Sequence, residues 1–156
     1  MRKQKITVSV IGGHNISHEV EQIAHEVGRI VAEVGAVLVC GGLDGAMTAV
    51  AKGVKEAGGT TIGILPGNNK EDANEYIDIA LPSSIGYARN AMIACSADII
   101  VALPGSHGTS SEISYGIVYK RPIIDLGNWN LKEMIKVNNV LEAREKIEEL
   151  MAELSK

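Results

Sequence analysis

The chain has 156 residues, 46% hydrophobic and 22% charged, with a formal net charge of −4. That length suits one domain over residues 1–156 with a substantial buried core. The acidic balance, the lack of Phe and the single Trp leave neither a basic footprint nor a base-stacking surface, so no nucleic-acid partner is expected.

In chain order, a short apolar run from Ile6 to Ile11 ends at Gly12-Gly13. It is too short for a secretory signal core, and no run in the chain approaches the roughly 20 apolar residues of a membrane span. No membrane association and a cytoplasmic location are therefore expected. Ser17 opens the clearest helix, in which Val20, Ile23, Ala24, Val27, Ile30, Val31 and Val34 recur at helical spacing until Gly35 stops it. Val37 to Cys40 reads as a strand. Met47, Val50, Ala51 and Val54 then form one face of a helix stopped at Gly58-Gly59.

Strands follow at Thr61 to Leu65, Tyr76 to Leu81, Asp98 to Leu103 and Pro122 to Leu126, with helices at Tyr87 to Ala97 and Ser110 to Tyr119. Asn128 to Asn139 fits a loop or a short element. In the tail, Val140, Ala143, Ile147, Leu150, Met151 and Leu154 form an apolar side suited to packing on this chain or on another copy, and Glu142 and Lys146 are spaced as an i,i+4 pair. Nearly continuous apolar strands alternating with helices predict an α/β three-layer sandwich, its mainly parallel sheet flanked by helices. Cys40 and Cys95 show no Cys-x-x-Cys spacing and read as reduced core thiols.

Three strand ends lead into glycine turns: VSVIGGHNIS, VLVCGGLDGAM and IVALPGSHGTSSE. In an open parallel sheet these turns share one carboxyl edge, where ligands bind. Glycine admits close approach of a backbone, and the following helix offers unpaired amides and the positive end of its dipole, which suits phosphate. Glycine turns after strands also occur where nothing binds; three on one edge favour a site. Neither Gly-x-Gly-x-x-Gly nor Gly-x-x-x-x-Gly-Lys is present, which argues against ordinary dinucleotide binding and P-loop hydrolysis.

GGLDGAM (Gly41 to Met47) followed by LPGSHGTSSE (Leu103 to Glu112), with the intervening ARN segment, resembles the paired signatures of the LONELY GUY and molybdenum cofactor carrier protein superfamily, often mislabelled lysine decarboxylase. The resemblance runs from about Ile6 to Leu126. It implies a Rossmann-like homodimer or larger homo-oligomer that holds a nucleoside monophosphate or a phosphorylated cofactor such as molybdopterin. In the enzyme branch, a phosphoribohydrolase cleaves the N-glycosidic bond of a nucleoside 5'-monophosphate without a required cofactor, and its catalytic pair carries over to Arg89 and Glu112. The phosphate cradle carries over to Gly105, Gly108 and Thr109. The wider set of ligand-contacting positions comprises Gly12, Gly13, Gly41, Gly42, Gly45, Met47, Arg89, Asn90, Pro104, Ser106 and His107.

Three positions depart from the patterns: Cys40 and Ser106 stand where glycines are usual, and Asn90 follows the arginine where the cleaving enzymes have lysine. The last departure favours a carrier-like binding protein over a hydrolase. Decarboxylation would need a lysine to form a Schiff base with pyridoxal phosphate, and the glycine turns contain none.

Two structural alternatives stand beside the functional ones. Thr109-Ser110-Ser111-Glu112 has the spacing of a capping box, which would assign Glu112 to the helix start. Arg89 reads either as a solvated side chain or as a planar fork for a phosphate or a base; on the functional reading, Arg89→Ala weakens nucleotide binding and leaves the melting temperature near wild type. His14, His18 and His25 have spacing that could suggest metal ligands, but His18 and His25 fall opposite the apolar stripe and are expected to face water, so no metal site is assigned.

Overall fold

The computed structural model describes residues 3–156. Its strands are β1 (Thr7–Ile11), β2 (Val37–Cys40), β3 (Thr61–Leu65), β4 (Ile79–Pro82), β5 (Ile99–Ala102), β6 (Ile123–Asp125) and β7 (Ile135–Lys136). The helices are α1 (His18–Glu33), α2 (Ala46–Glu56), α3 (Asn90–Cys95), α4 (His107–Val118) and α5 (Val140–Leu154). The strands form one sheet in the order β4-β3-β2-β1-β5-β6-β7, and every neighbouring pair is parallel. The chain winds outward from β1 to β4 and then returns to the other side of β1. The order therefore reverses between β1 and β5, where their carboxyl ends leave a crevice.

Residue alternation sends the sheet's side chains into two cores. Val8, Val10, Leu38 and Cys40 meet α1, α2 and α5, whereas Ile11, Val39, Ile100 and Ile123 meet α3 and α4. Both faces are thus covered, as the apolar runs require. Helices α1 and α2 approach closely at two glycines: a Cβ on Gly28 would lie 2.1 Å from the Val50 carbonyl oxygen, and one on Gly53 would lie 2.0 Å from that of His25.

Several boundaries differ from expectation for local reasons. Tyr76 and Ile77 leave the fourth strand because Asn74 accepts their backbone amides, at 3.0 Å through its side chain and 3.2 Å through its carbonyl. The expected helix from Tyr87 begins as a 3-10 turn, Gly86–Arg89, before α3. The fourth helix starts at His107, three residues before Ser110, so Thr109 lies inside it and the capping box does not form. A reciprocal cap occurs instead at α5, where Asn139 accepts from the Glu142 amide at 2.9 Å and the Glu142 carboxylate accepts from the Asn138 amide at 2.7 Å. Lys146 consequently pairs with Glu149 rather than Glu142.

The ambiguous Asn128–Asn139 segment supplies β7. The tail helix packs on its own chain: Ala143 and Ile147 are buried in the core of α1 and α2, and Arg144 bonds Glu33 at 2.6 Å. Cys40 is buried as expected, but Cys95 is exposed on α3. His18 is exposed, whereas His25 is half-buried and bonds Glu56 across the α1–α2 seam at 2.6 Å. No helix among the described residues is long and apolar enough to cross a membrane.

Candidate functional site

The three glycine turns converge, and Gly13 joins them. Its amide donates to the Pro104 carbonyl at 3.0 Å, and its carbonyl accepts from the Ala46 amide at 3.0 Å. The turns after β1, β2 and β5 are thereby fixed around a cleft of about 610 Å³ at the carboxyl edge. Gly12, Gly13, Gly41, Met47, Arg89, Asn90, Ser106, His107, Gly108, Thr109 and Glu112 line this cleft. Leu43, Asp44, His14, Tyr87, Ser111, Val10 and Ile11 also line it, although sequence reasoning did not select them. His14 and Asp44 directly adjoin the selected glycines, and Tyr87 lies two residues before Arg89; proximity to the motifs was the available signal.

Four selected residues fall outside the cleft. Gly42 and Gly45 take positive φ, +76° and +65°, and a Cβ on Gly45 would lie 2.4 Å from the His14 carbonyl oxygen, so they shape the turn without facing the cavity. Pro104 and Gly105 line a neighbouring cavity of about 390 Å³. A Cβ on Gly105 would lie 2.1 Å from Thr109 Oγ1, which explains glycine there as room for the Thr109 side chain. The two replaced glycines meet no such demand: Ser106 has φ −119°, and Cys40 lies within a strand. Burial pushes the Cys40 thiol up to about 12, leaving it protonated and unreactive.

The helix starts also differ. Ser17 Oγ caps α1 by accepting from the Val20 amide, and Asn139 caps α5. Gly45 and Ser106, which precede α2 and α4 at the cleft, make no side-chain cap bond. The first-turn amides of those two helices have no capping side chain, and their positive dipole ends converge on the same cavity.

Arg89 is buried and not solvated. Its Nε donates to the Ile64 carbonyl at 2.9 Å, one terminal nitrogen donates to Asn90 Oδ1, and the other reaches the Gly41 carbonyl at 3.4 Å. Asn90 Nδ2 donates to Ser111 Oγ at 3.0 Å, linking this cluster to the N-terminal half of α4. Arg89 and Asn90 therefore tie β2, β3 and α4 together as well as lining the cavity. Burial lowers the guanidinium pKa, and the nearby Glu112 opposes that shift.

Glu112 lies in α4 beside Arg89, buried except where it meets the cleft. Desolvation dominates over attraction to Arg89 and pushes its carboxyl up to about 8. At neutral pH the side chain is mainly the uncharged acid, able to donate a hydrogen bond into the cavity.

The single parallel sheet, the reversal at β1 and β5 and the cleft beside it define a Rossmann-like α/β protein. The family model described as the SLOG cluster4 family matches residues 5–153, and the chain belongs to this family. The earlier resemblance to the LONELY GUY and molybdenum cofactor carrier superfamily is thereby upheld. The chain is 41% identical over 110 residues to an uncharacterized Archaeoglobus fulgidus protein, covering 70% of this chain and 72% of the relative. It is 36% identical over 75 residues to a cytokinin riboside 5'-monophosphate phosphoribohydrolase of Arabidopsis thaliana, covering 47% of this chain and 33% of that one.

Among solved structures, the molybdenum cofactor binding protein of Rippkaea orientalis superposes with a TM-score of 0.91 at 28% identity, covering 96% of this chain and 99% of the other. The molybdenum cofactor carrier protein of Chlamydomonas reinhardtii gives a TM-score of 0.84 at 28% identity with the same coverage.

Proposed function

We propose that the protein binds a phosphorylated small molecule, a nucleotide or a molybdenum-cofactor-type ligand, in the carboxyl-edge cleft. The carrying observation is the pair of helix starts without side-chain caps that meet at one cavity above a buried arginine. Amides at Ser106 to Gly108 and the Thr109 hydroxyl hold the phosphate. The remaining ligand lies along Gly41, Met47, Arg89 and Tyr87, with Glu112 donating to an acceptor atom. The similarity to molybdenum cofactor binding and carrier proteins supports this reading. Titration with a panel of nucleoside 5'-monophosphates, combined with a free-base assay, tests it: binding without base release is expected, and failure of every monophosphate and of molybdopterin to bind would overturn it.

The uncapped Glu112 carboxyl beside Arg89 favours one alternative, N-glycosidic hydrolysis. A carboxylate stabilises the positive charge that develops on ribose, but this one ionises only as pH rises through about 8. On that alternative, base release increases from pH 7 to pH 9 and is abolished in Glu112→Ala.

We further infer that a second copy of the chain covers the outer face formed by α3, α4 and the 3-10 turn before α3. Tyr87, Tyr115 and Tyr119 are 84%, 37% and 47% exposed, placing on the order of 300 Å² of aromatic surface in water. Ile85, Met92 and Val118 extend that surface toward the roughly 800 Å² per partner of a standard interface. Sedimentation of the purified chain tests this association.

A further inference from the structure

The loop after β6 clamps the turn that precedes α4. Asp125, the buried last residue of β6, accepts three backbone amides: Gly127 at 2.9 Å and Trp129 at 3.1 Å on Oδ1, and Asn130 at 2.9 Å on Oδ2. Asn128 and Asn130 both take φ +58°, a left-handed conformation that asparagine tolerates better than most side chains. The closed loop presses Trp129 inward, and the indole Nε1 donates to the Leu103 carbonyl at 3.0 Å. Gly127 permits this approach, because a Cβ there would lie 2.5 Å from the indole nitrogen and 2.7 Å from the Leu103 carbonyl oxygen.

Leu103 immediately precedes Pro104, whose carbonyl accepts from Gly13. The turn is thus held from the β1 side by Gly13 and from the β6 side by Trp129. We propose that Trp129, seated by Asp125, is a positioning residue that fixes the β5–α4 turn so that Ser106 and Gly108 face the cleft. It acts through the Leu103 carbonyl, and it does not line the cleft itself. The link to ligand binding rests on the proposed function, but the positioning role can be measured without a ligand.

Amide hydrogen exchange on the full chain provides that measurement. Trp129→Phe keeps an aromatic ring and removes the indole donor. Exchange at Gly13 and Ser110, whose bonds end on Pro104 and Ser106, should accelerate about fivefold while helix α1 remains protected, since a lost hydrogen bond of ordinary strength corresponds to roughly that factor. Unchanged exchange at both amides overturns the proposal. If Trp129→Phe accelerates exchange uniformly, Asp125→Asn decides: a rise confined to the turn upholds the clamp, and a uniform rise or none overturns it.

The same variants are then titrated with adenosine 5'-monophosphate and with inorganic phosphate. Affinity about five- to tenfold below wild type is expected, and equal affinity overturns transmission to the cleft. If wild type binds neither probe, the result counts against the proposed function, while the exchange data still decide the clamp.

Discussion

The layer of α1, α2 and α5 and the layer of α3 and α4 cover the same sheet with opposite chemistry. The first presents Glu19, Glu21, Glu26, Lys52 and Glu145 to solvent and closes its seams with His25–Glu56 and Arg144–Glu33. Its helices meet through Gly28 and Gly53 at backbone contact distance. The second, together with the 3-10 turn before α3, buries Arg89, Asn90, Thr109 and Glu112, while its outer surface carries Tyr87, Tyr119 and a 70% exposed Val118. Buried polar groups are costly unless paired, and paired or ligand-facing ones concentrate where chemistry occurs. The first layer thus serves mainly packing and reaches the cleft only through the start of α2, whereas the second lines it with buried polar side chains.

The largest expected effect is on Arg89. Arg89→Ala leaves the Ile64 and Gly41 carbonyls without their side-chain donor, so chemical denaturation should show a loss of about 3 kcal/mol, with ligand affinity falling as well. This replaces the sequence-based expectation of an unchanged melting temperature, which assumed an exposed guanidinium. A wild-type stability would break the claim that Arg89 holds the floor of the cleft together.

Glu112→Gln sharpens the contrast in the opposite direction. The folded state keeps a proton up to about pH 8 that the unfolded chain releases near its ordinary value of 4.5. Wild-type stability therefore falls as pH rises through that window and levels off above it. The variant should be more stable than wild type at pH 8 by a few kcal/mol, at about 1.4 kcal/mol per tenfold displacement of the proton equilibrium, with the difference disappearing toward pH 4.5. Parallel stability curves for the two proteins would contradict the buried neutral acid.

Gly28→Ala probes the packing layer. Its added methyl meets the Val50 carbonyl, and a loss of about 2 kcal/mol is expected with ligand affinity unchanged. Altered affinity with intact stability would erase the division between layers. Val118→Lys should have the smallest effect on folding, within about 0.5 kcal/mol, while weakening the proposed self-association in sedimentation; unaltered sedimentation would remove α4 from the proposed interface.

Much of the fold was legible because its signals are local. The apolar runs located the first three strands, β5 and β6, and the stripe from Val20 to Val34 located α1. The fourth strand was drawn too long because the side chain of Asn74 redirects Tyr76, which hydrophobicity alone does not encode. The α4 start was misplaced because Thr109 and Glu112 have cap spacing, yet the chain enters the helix at His107. At the site, motif matching selected the glycines but could not separate Gly41, which faces the cavity, from Gly45, which makes room for His14.

The amino-acid order alone determined where the chain runs straight, where it coils and where glycine lets it turn, since each depends on a few neighbouring residues. Tertiary structure decided that Gly13 joins three turns, that Arg89 is interior and that burial raises the Glu112 carboxyl above its ordinary range. Those properties arise from desolvation and hydrogen bonding between segments far apart in sequence, which no local pattern specifies.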